Sequence, residues 1–203
     1  MTSRPVRRQR RGIERMAQIL EAAAEVLAEQ GYENTTTNAI AATAGISPGS
    51  LYQFYANKDE IVTALAERYA TELERVSAEA FDFDEDASIQ EVVHRVVTAL
   101  VEFNLANPGF KSVFARTDMP ASLEGAIVAV HDSLRRRVSA AVGRLLPGFS
   151  DAERDRVVTV AIQMVRGMMS LIVQADEPSR TALVEELEEL LVSYLERRRP
   201  ASS

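Results

Sequence analysis

The chain has 203 residues, 46% of them apolar, with 30 acidic side chains against 23 basic ones for a net charge of -7, and no cysteine. That is enough apolar sequence to bury one or two cores, while the missing thiols exclude disulfides, thiolate metal sites and cysteine nucleophiles. His94 and His131 are the only imidazoles, and neither a P-loop, a G-x-G-x-x-G nor an H-E-x-x-H motif occurs, so no catalytic residue, cofactor or metal is expected.

Residues 1–13 read as a basic flexible arm: Arg4, Arg7, Arg8, Arg10 and Arg11 lie in it, and Arg15 follows closely. Such arms wrap nucleic acid and insert into the minor groove, although a solubilising tail has the same composition. The arm leads into no apolar segment of signal type, and no apolar run reads as long enough to cross a bilayer, so a cytoplasmic protein is expected.

Every element that follows reads as a helix, with no convincing strand. Residues 14 to 30 set Met16, Ile19, Leu20, Ala23, Val26 and Leu27 on one face and Glu21, Glu25 and Glu29 on the other before Gly31. Thr36 is a candidate cap for a second helix. Ile40, Ala41, Ala44, Ile46, Leu51 and Phe54 fall where two short crossing helices touch, with Gly45 between them to end the first in a left-handed conformation. Ser47 caps the second and Pro48 opens it.

Asn57 and Glu60 have capping-box spacing for a long connecting helix through Ile61, Leu65, Tyr69 and Leu73, which runs up to the acidic FDFDED loop at residues 81–86. A helix from about Ser88 to Ala106 turns Val93, Val96, Val97, Leu100 and Val101 inward and closes at Asn107-Pro108-Gly109. A short apolar piece with Phe110, Val113 and Phe114 comes next. Residues 121 to 146 then carry an apolar stripe, and Ser150 with Glu153 caps an unusually apolar helix containing Val165, Met168 and Leu171. Its apolar face is too wide for one core, as is that of the last helix, with Leu187, Leu191 and Tyr194, so part of each is expected to meet a second copy of the chain.

Charge distribution indicates what the two short crossing helices face. Residues 34 to 57 contain no Asp or Glu, which at this composition arises by chance on the order of a few times in a hundred. Residues 1 to 58 hold 7 basic and 5 acidic side chains, net +2, leaving -9 for the rest. Phosphate penalises nearby carboxylates, so double-stranded DNA is the expected partner of the N-terminal part.

The Gly-Tyr end of the first helix, the threonine-led second helix, Ala-Gly-Ile-Ser at the turn, Leu51-Tyr52-Gln53-Phe54-Tyr55 and Asn57-Lys58 resemble the TetR family of one-component transcriptional regulators. The resemblance implies an all-α fold of about nine helices with a helix-turn-helix DNA-binding domain at residues 14–60 and a ligand-binding and dimerisation domain at 61–203. It further implies a homodimer built on the last two helices, an operator, and a small-molecule effector that releases DNA.

By position, Asn38, Pro48, Gly49, Ser50 and Gln53 then fall where the family approaches base edges, and Thr37, Ser47, Tyr52 and Lys58 where it grips phosphate. Gln53 and Asn38 can read adenine bidentately. The family often has His then Phe after the recognition tyrosine, where this chain has Phe54 and Tyr55, so a backbone contact is either absent at 54 or supplied by Tyr55. An effector pocket is expected among Phe103, Asn104, Phe110, Phe114, Met119, His131, Met164 and Met168, mostly apolar with His131 and Asn104 to orient a ligand; ordinary core packing is the alternative for each. An all-helical protein-binding adaptor is the competing reading of the whole chain.

Overall fold

The computed structural model describes residues 4–110, 113 and 121–199; for residues 4–9, 121–127 and 129 it describes the backbone element only. Among these residues there are eight helices and no strand: α1 Arg4–Asn34, α2 Thr37–Thr43, α3 Pro48–Leu51, α4 Lys58–Ala80, α5 Ile89–Ala106, α6 Ala121–Leu145, α7 Asp151–Gln174 and α8 Glu177–Glu196. Of the expected short piece after α5, Phe114 lies outside the described residues, and Val113 is helical and buried. The chain divides into two compact units: Met1–Thr71 with Asn107–Val128, and Glu72–Ala106 with Ala129–Ser203.

In the first unit, the stretch expected as a flexible arm is a correction: from Arg4 onward it forms the opening turns of α1. Arginine is a good helix former, and Arg10 pairs with Glu14 one turn on, at 3.3 Å. The helix breaks at Gly31, whose φ of 71° and ψ of 169° are open to glycine almost alone. Thr36 caps α2 by accepting from the Ala39 amide at 3.1 Å. Gly45 then turns the chain at φ 63°, so that the Ile46 amide reaches back to the Ala41 carbonyl at 2.9 Å. Ser47 caps α3 through the Ser50 amide, with Pro48 in the first turn. Ile19, Ala23, Val26, Leu27, Ile40, Ala41, Leu51, Ile61 and Leu65 are among the buried residues of this unit's helices, as the 3.6-residue spacing expects; Met16, expected on the same face of α1, is 37% exposed, and Leu20 is half-buried.

In the second unit, α5, α6, α7 and α8 share one core containing Val93, Val97, Val101, Val142, Leu146, Val157, Val158, Ile172, Leu187, Leu191 and Leu195. The capping box Ser150–Glu153 at the start of α7 is complete. Arg144 fastens the acidic loop by lying 4.1 Å over the Phe83 ring and donating to the Phe83 carbonyl at 2.7 Å. Glu74 on α4 accepts from Ser133 on α6 at 2.6 Å and from Arg137, and these two hydrogen bonds hold its carboxyl below the ordinary range.

One further correction concerns α7. Its mean hydropathy of 1.6 over an 18-residue window makes it long and apolar enough to cross a membrane by length and composition, contrary to the sequence reading. Charged residues at the helix start, Asp151, Glu153, Arg154, Asp155 and Arg156, obscure the apolar stretch behind them. Only 28% of that window is buried, which leaves Leu171 61% and Val160 39% exposed.

Candidate nucleic-acid interface

The helix-turn-helix is built by three local devices: the Thr36 and Ser47 caps, the glycine turn at 45, and a contact between α2 and α3 where Ala41 is fully buried. Alanine at 41 lets the helices approach closely. A further brace comes from α1, where Gln18 donates to the Ala44 carbonyl at 2.6 Å and accepts from Arg15 at 3.0 Å. Sequence reasoning missed Gln18, because a polar residue on the exposed side of an amphipathic helix carries no signal of a bond 26 residues away.

The expected contact residues are largely accessible. Asn38, Ser47, Pro48, Gly49, Tyr52, Gln53, Arg10 and Arg11 are exposed, and Thr37, Ser50 and Lys58 are half-buried. The side chains of Arg7 and Arg8 lie outside the described residues. Two pairs are brought together: Thr37 Oγ1 stands 3.0 Å from the Tyr52 hydroxyl, and Ser47 Oγ stands 3.0 Å from Ser50 Oγ. Ser47 also accepts the Ser50 amide, so its oxygen serves the helix as well as the surface.

Lys58, expected on phosphate, is already engaged. Its ammonium donates to the Tyr32 carbonyl at 2.8 Å and sits 3.9 Å over the Tyr32 ring, and the Tyr32 hydroxyl donates to Asp59. This cluster ties the end of α1 to the start of α4. An ammonium has three hydrogens, so a phosphate contact has to share it with the Tyr32 carbonyl. Tyr55 is a second departure: it is 9% exposed, and burial raises the pKa of its phenol. Tyr55 therefore takes a core position and Phe54 is the half-exposed one.

The residues expected to line an effector pocket are divided between the two units. Phe103 is buried on α5, while Asn104 donates to its own helix at Leu100, 2.8 Å away. Phe110 packs edge-on against Tyr69 with ring centroids 5.8 Å apart, in the first unit. Met164 and Met168 are half-buried against the core of the second. Phe114 and Met119 lie outside the described residues. His131 is exposed among the described residues. Partial desolvation of its ring, with Arg166 second, lowers its pKa. An open groove of about 680 Å³ in the second unit is lined instead by Phe83, Asp84, Asp86, Glu91, His94, Arg95 and Glu102 among others.

Of the residues expected between subunits, Leu187 and Leu191 are 0% and 4% exposed and belong to the chain's own core. That is a correction. Leu183, Leu187, Leu190, Leu191 and Leu195 occupy so much of the helix circumference that spacing alone cannot separate the core side from the outer one. Leu190 is the outward residue, 48% exposed, as Leu171 is on α7; Val165, Met168 and Tyr194 are half-buried.

A capped, glycine-turned helix-turn-helix followed by an all-helical body is the architecture of a helix-turn-helix regulatory protein. The family model for bacterial regulatory proteins of the tetR family matches residues 19–65, and that for the tetracyclin repressor-like C-terminal domain matches residues 88–195. The chain belongs to the TetR family.

It is 32% identical over 91 residues, 45% of this chain and 47% of the other, to an uncharacterized HTH-type transcriptional regulator, YhgD, of Bacillus subtilis. It is 34% identical over 82 residues, 40% and 41% of the two chains, to a fatty acid metabolism regulator protein of the same organism. The chain thus spans about half the length, or less, of the curated relatives it matches. The crystal structure of a TetR-family transcriptional regulator from Streptomyces coelicolor is similar at 27% identity and TM-score 0.63, covering 93% of this chain and 99% of that one. The fatty acid degradation regulator FadR from Bacillus halodurans shares the fold at 18% identity and TM-score 0.68, with 88% and 94% covered.

Proposed function

We propose that the protein is a ligand-responsive, DNA-binding transcriptional repressor that holds a palindromic operator as a homodimer and is released by a small, largely apolar effector. In this reading residues 14–60 bind DNA, 1–13 supply basic side chains beside them, and 61–203 bind ligand and dimerise. The observation that carries it is the exposed helix-turn-helix surface without a single carboxylate between residues 34 and 57 of an acidic chain. Dimerisation is supported by Leu171 and Leu190, large apolar residues left open on α7 and α8. The apolar effector is supported by likeness, over 82 residues, to a protein named for the regulation of fatty acid metabolism. Titration of a mixed-sequence duplex separates this reading from the adaptor: binding at low salt that weakens steeply as salt rises is expected. Absence of duplex affinity at low salt contradicts it.

A further inference from the structure

The link between α2 and α3 runs from Ala44, at the C-cap of α2, to Ser47, the cap of α3. Its amides are bonded locally: Gly45 donates to the Ala42 carbonyl at 3.0 Å and Ile46 to the Ala41 carbonyl at 2.9 Å. The Ala44 carbonyl differs, since among the described residues no backbone donor is bonded to it. Pro48, four residues on, lacks the N–H that would continue a helix, and Ala44 is buried, where a carbonyl without a donor is costly. The Gln18 side-chain amide supplies the hydrogen, at 2.6 Å. We propose that Gln18 is a positioning residue for DNA recognition: by holding the Ala44–Gly45 peptide it fixes the angle at which α3 is presented to the bases. The inference rests on the DNA-binding reading above and deepens it.

The peptide that Gln18 grips is the pivot of the motif. Gly45 is left-handed at φ 63°, and rotation of the peptide before it changes that angle and swings the chain that follows. Glycine supplies the turn without resisting such rotation, because it has no Cβ to narrow its range. Helix α3 spans only Pro48–Leu51, so few bonds of its own oppose a change of entry angle. Gln18 supplies the resistance from α1, 26 residues earlier. Its own orientation is set by Arg15, which donates to the Gln18 side-chain oxygen at 3.0 Å. The amide cannot turn over without losing both bonds, because that would set its NH₂ against the guanidinium and its oxygen against the Ala44 carbonyl.

Amide hydrogen exchange and duplex binding of the full chain test this together. Gln18→Met keeps the length of the side chain and removes its hydrogen-bonding amide. In that variant the Gly45 and Ile46 amides are expected to exchange about five-fold faster, the worth of one hydrogen bond, with the amides of α8 unchanged. Affinity for a duplex recovered by selection from a random pool is expected to fall about ten-fold. Affinity for a mixed-sequence duplex, which depends on charge and not on the pose of α3, changes less than about two-fold. Arg15→Met should lower the ratio of the two affinities about three-fold, and should leave it unchanged when added to Gln18→Met. Arg15→Lys should preserve the ratio, because lysine still donates to Gln18. Unchanged exchange at Gly45 and Ile46 overturns the proposal, since the bond then does not hold the turn. Equal losses on the two duplexes overturn it as well, since Gln18 then only supports the fold. A wild-type protein that selects no duplex overturns the DNA reading, and the positioning role with it, whatever the exchange rates show.

Discussion

Gly109 and Tyr69 show how closely a single residue is constrained in the first unit. A Cβ on Gly109 would stand 2.9 Å from the Ala24 carbonyl oxygen and 2.8 Å from the Tyr69 hydroxyl. Backbone cannot yield there as a flexible side chain could. Among the described residues the buried Tyr69 hydroxyl has no hydrogen-bond partner, and burial pushes its pKa up to about 12. An orphaned hydroxyl costs desolvation and returns nothing. Tyr69→Phe is therefore expected to keep or raise the melting temperature, while Gly109→Ala lowers stability by about 1 to 3 kcal/mol through overpacking. A clear fall in melting temperature for Tyr69→Phe would show that the hydroxyl has a partner.

At the scale of elements, α7 and α8 each carry two apolar faces with different work. Leu191 is sealed in the core of the second unit, and Leu171 is 61% exposed. Leu171→Asp is expected to leave the fold intact and shift the protein toward monomer, whereas Leu191→Asp unfolds it by burying an unpaired charge. Sedimentation and circular dichroism distinguish the two. A folded wild-type monomer at micromolar concentration would contradict the dimer.

The helix-turn-helix was legible in the sequence because its signals are local: Thr36, Gly45, Ser47 and Pro48 each act within a few residues. The capping box at 150–153 was legible for the same reason. What the sequence could not resolve is set by long-range packing. The side of α8 that meets the core, the exposure of His131, the bond from Gln18 to Ala44 and the engagement of Lys58 by Tyr32 all depend on partners distant along the chain. Tyr55 and Phe54 are the sharpest instance, since both are aromatic and adjacent, and only the packed structure shows that Tyr55 is the more deeply buried.

For the whole molecule, the charge asymmetry has a physical consequence. With net +2 on residues 1 to 58 and -9 on the remainder, a duplex is attracted at one end of the sequence and repelled by the rest, which favours one mode of engagement. In the proposed dimer, two such heads related by a two-fold axis would impose symmetry on what they bind. Selection from a pool of random duplexes tests this most directly: the account predicts recovery of a pseudo-palindrome whose half-sites lie roughly one helical turn, about 34 to 36 Å, or a multiple of it apart. Recovery of no motif, or of a single asymmetric one, would contradict it.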